Sequence, residues 1–360
     1  MKNKSSYKIA IIYSGGRLFG GIEKYLLDLF ANLKNSDIKL ELLSLGQWEL
    51  TDRLGAAGHA VTIFSGSRIN PANIMRIGQY LKFNKFNLLV SQATVANAYA
   101  RAVSLLYRIP NLVTVHSNQA GDYSNPVTRT AYGLIERLTR FPTRTYIAVS
   151  NYLRDALVKN GVRADKITVI YNGIDFPEPK PIKHTGTVIG SIGRLHPVKG
   201  YDLLIQAFAS LDDKNLRLKI AGEGDELDKL RHIASALHIG DRVDFVGFVD
   251  SYEFLRSVDI YVQSSLFEGF GLAVVEAMSQ SLPVVVTPVG SMREIVTDGK
   301  TGLISADMWP ESLANSIERL VGNKKLAAEL GNGASKFVAE NFQIKKWVDS
   351  TARAYKDAIK

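Results

Sequence analysis

The sequence contains no cysteine. That excludes disulfides and thiolate metal sites, and it suits a reducing, cytoplasmic compartment. No apolar run approaches the length of about 18 residues that would suggest a membrane span. The basic start, Met1-Lys2-Asn3-Lys4-Ser5-Ser6-Tyr7-Lys8, is followed only by the apolar run from Ile9 to Tyr13. A signal-peptide core needs roughly 7–15 residues, so this run reads as a first buried strand. Metal and nucleophile signatures are also missing: there is no Asp-x-Asp, no His-x-x-x-His and no Gly-x-Ser-x-Gly. Gly299-Lys300-Thr301 mimics the end of a nucleotide-binding P-loop, but Glu294 stands where the leading glycine belongs, so it reads as an ordinary loop. No metal and no cofactor is required by these residues, and no nucleic-acid partner is expected. Internal repeats and low-complexity segments are absent.

What is present is globular in composition, 46% hydrophobic and 22% charged over 360 residues. That length exceeds what one core usually supports, so two domains are expected. The net charge of +9 is unevenly spread. Residues 1–180 hold 23 Lys and Arg against 12 Asp and Glu, and the remainder holds 21 against 23. All of the excess positive charge therefore lies in the first half. It suits an anionic partner such as a membrane surface, a lipid phosphate or an acidic glycan, or else forms a plain solvated surface.

Short apolar runs alternate with helical patterns throughout, the pattern of βαβ units and parallel sheets. Strands are expected at residues 8–13, 40–45, 60–64, 88–91, 112–116, 145–149 and 167–171. Then comes Asp175-Phe176-Pro177-Glu178-Pro179-Lys180-Pro181, whose prolines fix φ and remove donors, so it reads as an extended linker. The alternation restarts with strands at 188–192, 216–221, 243–246, 260–263 and 284–287. The expected fold is α/β, with two doubly wound domains and a ligand cleft between them. The first domain covers residues 1–178 and the second 185–342. A terminal helix over 343–360, with Phe342, Trp347, Ala352 and Tyr355 as its apolar face, is expected to return to the first.

The most informative segment runs from Ser264 to Met278 and includes Glu268-Gly269-Phe270-Gly271-Leu272 and Glu276. A Gly-Phe-Gly turn opening an apolar helix leaves backbone N–H groups for phosphate. A helical rise of about 1.5 Å per residue puts the two carboxylates up to roughly 12 Å apart, the span of a sugar, a diphosphate and a ribose. This points to a nucleotide-sugar site. Gly193-Arg194-Leu195-His196-Pro197-Val198-Lys199-Gly200 follows an expected strand, where Arg194 and Lys199 suit two phosphate groups or form a solvated basic loop. Gly15-Gly16-Arg17-Leu18-Phe19-Gly20-Gly21-Ile22-Glu23 joins the first strand to the first helix. It departs from the dinucleotide fingerprint spacing, which disfavours an NAD-dependent oxidoreductase, and reads as a ligand loop or a tight turn. His116 ends a strand and either donates a hydrogen bond to a substrate hydroxyl, works in acid–base chemistry or is structural. Asn172-Gly173-Ile174-Asp175 reads as a turn near the linker, with or without a direct role.

Together these motifs resemble the retaining glycosyltransferases of family 4, the group 1 enzymes with the GT-B fold. The resemblance rests on Gly20-Gly21-Ile22-Glu23, Gly193-Arg194-Leu195 with Lys199-Gly200, Ala221-Gly222-Glu223-Gly224, Val246-Gly247-Phe248, Glu268-Gly269-Phe270-Gly271 with Glu276-Ala277-Met278, and Pro283-Val284-Val285. It implies that Arg194 and Lys199 hold the donor diphosphate, with Gly20 and Gly21 approaching it from the first domain. It implies that Glu268, with the Gly269, Phe270 and Gly271 backbone and Leu272, meets the donor sugar. Glu276 would meet the ribose, Gly247 and Phe248 the base, and His116 the donor sugar. The N-terminal domain would hold the acceptor. Ser264, Ser281 and Arg293 depart from the family's usual proline, glycine and proline.

The implied reaction is transfer of a hexose-type sugar, from a UDP-linked donor in preference to a GDP-linked one, onto a glycan or lipid-linked acceptor in envelope polysaccharide assembly. No second carboxylate is placed for double displacement, which favours a front-face route in which the leaving phosphate takes the acceptor's proton. A nucleotide-sugar epimerase and a non-catalytic nucleotide-sugar-binding protein are the alternatives. The first domain's basic set includes Arg68, Arg76, Lys82, Lys85, Arg101, Arg108, Arg129, Arg137, Arg140 and Arg144. Residues 128–141 read as a helix that either meets anionic lipid headgroups at the inner face of the cell membrane or packs its apolar stripe on the core.

Overall fold

The computed structural model describes residues 7–15, 19–34, 36–64, 70–117, 126–178, 182 and 186–360, with only the backbone of Pro126, Thr128, Arg129 and Tyr132. Gly16, Arg17, Leu18, Arg68, residues 179–181 of the proline segment and the Arg129 side chain lie outside the description. The chain divides into two compact units, one of Met1–Asn172 with Lys345–Lys360 and one of Gly173–Ile344.

In the first unit the strands are β1 (Tyr7–Tyr13), β2 (Ile38–Ser44), β3 (Ala60–Ile63), β4 (Leu88–Ser91), β5 (Asn111–Val115), β6 (Thr145–Ala148) and β7 (Ile167–Val169). They form one sheet in the order β3-β2-β1-β4-β5-β6-β7, and every pairing is parallel. The helices are α1 (Gly21–Leu33), α2 (Glu49–Ala56), α3 (Ala72–Phe83), α4 (Thr94–Tyr107), α5 (Pro126–Thr139) and α6 (Asn151–Lys159). Continuous apolar strands such as Leu88–Ser91, buried at every position, are what a parallel sheet covered on both faces requires.

In the second unit β8 (Val188–Ile192), β9 (Arg217–Ala221), β10 (Val243–Gly247), β11 (Ile260–Gln263), β12 (Val284–Val286) and β13 (Leu303–Ile304) form a parallel sheet ordered β10-β9-β8-β11-β12-β13. Its helices are α7 (Tyr201–Ala209), α8 (Leu227–Ala236), α9 (Ser251–Leu255), α10 (Leu272–Ser279), α11 (Met292–Ile295), α12 (Pro310–Val321) and α13 (Lys324–Asn341). A core built on Leu204, Phe208, Leu218, Ile220, Val262 and Ile317 fills the space between this sheet and its helices. In both sheets the strand order reverses beside the first strand. That crevice, outside the carboxyl ends, is where ligands of such sheets bind.

Four details differ from the sequence reading. The boundary falls at Asn172 and Gly173, before the prolines, because the segment after it is bound to the second unit. Ile174 bridges Gln343, the Asp175 carbonyl accepts from Tyr252, and the Pro177 carbonyl accepts from Gln280 at 3.1 Å. The terminal helix α14 (Ile344–Ile359) does return to the first unit, but its buried face is Trp347, Val348, Thr351, Tyr355 and Ala358. Phe342 belongs to the second unit and packs edge-on against Phe270, 5.5 Å between centroids. The two-residue strand β13 is too short for any periodicity to announce it. Among the described residues, no helix is long and apolar enough to cross a membrane.

Candidate active site

Five loops leave the carboxyl ends of β8, β9, β10, β11 and β12, and backbone hydrogen bonds tie them together. Gly193 N–H donates to the Ala221 carbonyl at 3.0 Å, Leu195 N–H to Glu223 at 2.8 Å and Gly222 N–H to Gly247 at 2.7 Å. Leu266 N–H donates to Val198 at 2.8 Å and Ser291 N–H to Glu268 at 3.2 Å. Glycine is forced where these loops touch. A Cβ on Gly200 would lie 2.2 Å from the Ser264 carbonyl oxygen, and one on Gly290 only 1.9 Å from that of Glu268. Both adopt the left-handed conformation as well, with φ of +60° and +55°.

Lys199 leaves the loop after β8 and Glu268 the loop after β11, so they meet across the switch point of the sheet. Lys199 Nζ donates to Glu268 Oε1 at 2.6 Å. The same oxygen accepts from Gln263 Nε2 at 2.9 Å and from Ser265 Oγ at 2.7 Å. Gln263 is itself oriented by Tyr261, whose hydroxyl donates to Gln263 Oε1 at 2.6 Å. Burial pushes the Tyr261 phenol well above its usual pKa, so it remains a donor. Glu268 is 7% exposed, and a carboxylate this buried is tolerated because a cation and two neutral donors converge on it.

The sequence reading put Lys199 on the diphosphate and Glu268 on the sugar; here the two are bound to each other. Arg194 is exposed and has no side-chain partner among the described residues. Its neighbour Leu195 is 1% exposed and anchors the loop in the core. Glu268 precedes the helix, which begins only at Leu272 after the left-handed Gly271, so the helical rise applies to part of the span to Glu276. Glu276 itself is buried on α10. The Phe270 side chain is turned into the core against Phe342, leaving its backbone for any ligand role. Gly247 ends the edge strand β10 at φ +72°, with open space where a Cβ would stand, and Phe248 after it is exposed.

In the first unit, Gly20 and Gly21 stand at the start of α1. The Gly20 N–H donates to Glu23 Oε2 at 2.9 Å, while Glu23 Oε1 accepts from the Tyr13 hydroxyl at 2.6 Å. Among the described residues, apart from its chain neighbours and its own helix backbone, nothing lies within 4 Å of where a Gly21 Cβ would be, whereas a Cβ on Gly15 would strike the Trp48 ring at 2.1 Å. Gly15 is therefore explained by packing and Gly21 is not. His116 lies one residue past β5 rather than within the strand, with Nε2 3.0 Å from Gln92 Oε1. Burial pushes its pKa down to about 3, so the imidazole is neutral at physiological pH.

The basic set of the first unit is only partly a surface. Arg101 is 2% exposed; its guanidinium meets Glu136 Oε2 at 2.6 Å and donates to Thr143 and Thr139. Asn97 donates to the other Glu136 oxygen, and Arg140 is bound to the Asn160 carbonyl. Glu136 thus turns inward from α5, while Val127, Leu134, Leu138 and Phe141 on that segment are exposed, Leu138 by 68%. At about 100° per residue Val127, Leu134 and Leu138 share one stripe, and Phe141 follows just past the helix end. The stripe faces outward, contrary to the core-packing alternative.

Two family models divide the chain. "Glycosyl transferases group 1" matches residues 174–337, and "Glycosyltransferase Family 4" matches residues 19–176. The chain belongs to the group 1, family 4 glycosyltransferases. Among curated relatives, an uncharacterized glycosyltransferase of Methanocaldococcus jannaschii is 29% identical over 276 residues, 70% of each chain. The lipopolysaccharide core biosynthesis mannosyltransferase LpcC of Rhizobium leguminosarum is 27% identical over 262 residues, 63% of this chain and 74% of its own. Among solved structures, Anabaena HepE in complex with UDP-glucose superposes with a TM-score of 0.87 at 21% identity, covering 97% of this chain and 99% of that one. The transferase therefore carries the GT-B fold.

Sequence reasoning missed Gln263, Ser265, Tyr261, Gly290 and Gln92. A signal existed for some of them. Gln263 is a polar residue ending an apolar strand that a parallel sheet buries on both faces, Ser265 is buried two residues later, and buried polar groups need a partner.

Proposed function

We propose that this transferase is a metal-independent retaining enzyme. It moves a hexose-type sugar from a nucleoside diphosphate sugar, UDP-linked in preference to GDP-linked, to a glycan or lipid-linked acceptor in envelope polysaccharide assembly. The observation that carries this reading is the Glu268 carboxylate, fixed through one oxygen by Lys199, Gln263 and Ser265 beside the start of α10. Its other oxygen remains for sugar hydroxyls, and the helix start with Arg194 suits the diphosphate. An arriving diphosphate shares the Lys199 ammonium with Glu268.

In the transfer step the bond from the anomeric carbon to the diphosphate oxygen breaks, and its electron pair leaves with the phosphate. The acceptor oxygen bonds to the same face of that carbon and passes its proton to the departing phosphate. Arg194 and Lys199 stabilise the charge that develops there, which lowers the barrier rather than merely tightening binding. The UDP preference draws on the UDP-glucose complex of HepE, and the envelope role on the named activity of LpcC.

A thermal-shift screen of UDP- and GDP-sugars identifies the donor, because a ligand of the folded state alone raises apparent stability. Lys199→Ala should cut kcat by orders of magnitude with the fold intact; near-normal turnover sinks the assignment. An epimerised nucleotide sugar formed without acceptor would instead favour the epimerase, and binding without turnover a binding protein. The outward stripe on α5, whose one acidic side chain faces inward, fits an anionic membrane surface with the exposed Arg137 and Arg108 at headgroup level. Flotation with anionic vesicles tests this contact at the inner face of the cell membrane. Binding that is lost in Leu138→Ser with Phe141→Ser supports it, and no salt-sensitive binding removes it.

A further inference from the structure

Between Asp52 and Asp155 the chain carries 12 Lys and Arg against two acids, Asp122 and Glu136. Asp122 lies outside the described residues, and Glu136 is turned inward onto Arg101. This stretch supplies α3, α4 and α5. Each of the three connects strands in the same direction across the sheet, so right-handed crossovers put them on one face, with α1 and α2 on the other. α3 and α4 share a core with Ile12, Leu43 and Leu89 of the sheet. They are locked together where the Tyr107 ring fills the space beside Gly78 and its hydroxyl donates to the Met75 carbonyl at 3.3 Å. Further back along α4, Arg101 holds α5 through Glu136 and Thr139.

The outer side of this layer is apolar and basic together. On α3, Met75, Arg76, Lys82 and Phe83 are exposed while Ile77 and Leu81 are buried, so the outward positions run along one face of the helix. Phe83, 86% exposed, is the most exposed large apolar side chain among the described residues. On the last turn of α4, Leu105 and Leu106 are exposed, with the exposed Arg108 just beyond. Because α4 packs against both α3 and α5, these side chains widen the α5 stripe of Leu138 and Phe141 to three helices. Apolar surface this widespread, rimmed by charge, marks an interaction site. A nucleic acid or an acidic glycan would engage the cations and leave Phe83, Leu105 and Leu106 in water. An anionic bilayer takes both, the apolar side chains below its headgroups and the cations among them.

We propose that the outer faces of α3, α4 and α5 form one docking surface for an anionic lipid bilayer, so that the first sheet lies flat on the membrane instead of touching it through α5 alone. This deepens the membrane contact of the proposed function and rests on it for α5, whereas α3 and α4 enter on their own residues. With the sheet flat, its carboxyl edge faces along the bilayer rather than into it.

The test uses the full chain and vesicles of phosphatidylcholine with one third phosphatidylglycerol. Hydrogen exchange of the bound protein should slow in peptides from residues 72–85 and 100–109 as well as 126–141, and stay unchanged in α1 on the opposite face. Arg76→Gln with Lys82→Gln should weaken binding to these vesicles about thirtyfold and leave binding to pure phosphatidylcholine unchanged. Phe83→Ser with Leu106→Ser should weaken it at least about tenfold. All four side chains are exposed, so both variants should keep the urea midpoint of the wild type. Slowing confined to residues 126–141, or full affinity in both double variants, overturns the inference and leaves the α5 contact standing. A wild type that does not bind the vesicles defeats both. A lipid-free dimer that Phe83→Ser with Leu106→Ser dissolves assigns the face to a second copy of this chain, and overturns the proposal as well.

Discussion

The contact between Lys199 and Glu268 predicts an energetic coupling that can be measured with no substrate at all. Lys199→Met keeps the aliphatic stem and removes the charge. It leaves the Glu268 side chain, 9% exposed, with two neutral donors and no cation. Breaking a fully buried pair costs about 3–5 kcal/mol. The Lys199 side chain keeps 21% exposure, so water already compensates part of the loss and about 2–3 kcal/mol is expected. Glu268→Gln keeps the shape and frees Lys199 to hydrate, at about 1–2 kcal/mol. In the double variant neither charge is stranded, so its loss should fall short of the sum by at least about 1 kcal/mol. Urea unfolding read by hydrogen exchange of peptides from residues 255–300 follows this unit by itself. Losses that add within about 0.5 kcal/mol at pH 8 refute the reasoning.

Arg194→Ala should change stability by no more than about 0.5 kcal/mol, since none of the described residues holds the side chain, yet weaken nucleoside diphosphate binding measured by calorimetry; an unchanged affinity would remove Arg194 from the site. Ser281 holds φ at +57°, a left-handed conformation that glycine adopts without strain. Ser281→Gly should therefore raise the urea midpoint by the equivalent of up to about 1 kcal/mol, and a lower midpoint contradicts the strain argument. Gly290→Ala, with a backbone oxygen 1.9 Å from the new Cβ, should destabilise far more than Gly247→Ala, where only the positive φ of +72° is strained; similar losses would show that the loops simply part. Between pH 6.5 and about 3 the unfolded chain protonates His116 while the folded ring stays neutral, so its contribution falls as pH drops, by up to about 2 kcal/mol at pH 5 before solvent screening. His116→Gln should flatten the acid side of the stability profile, and an unaltered slope refutes the burial.

Most strands were legible because each is a short apolar run bounded by turn residues, and a parallel sheet needs little more. Glu268, Lys199 and Arg194 of the second unit were legible as chemistry, each beside a glycine in a loop that follows a strand, and Glu276 was legible through the helix that the Gly-Phe-Gly turn opens. Their pairing was not. Lys199 and Glu268 are 69 residues apart, and which of several cations meets a carboxylate depends on how five loops stack. The helix α5 shows the same limit from another side. Its periodicity announces a stripe, but only the buried contact between Arg101 and Glu136 turns that stripe outward. Gln92 carried no local signal at all, because its meaning depends on β4 and β5 being neighbours.

The two units differ in how they are strung along the chain. Gly173–Ile344 is one unbroken stretch, whereas the other unit needs Lys345–Lys360 from beyond it. During synthesis the later-made unit can therefore finish folding first, while the earlier one waits with Tyr25 uncovered until Trp347 and Tyr355 emerge. A truncation just before Lys345 would strike the half of the molecule made first. Released chains that stop at Ile344 should show the first sheet open to protease and the second protected.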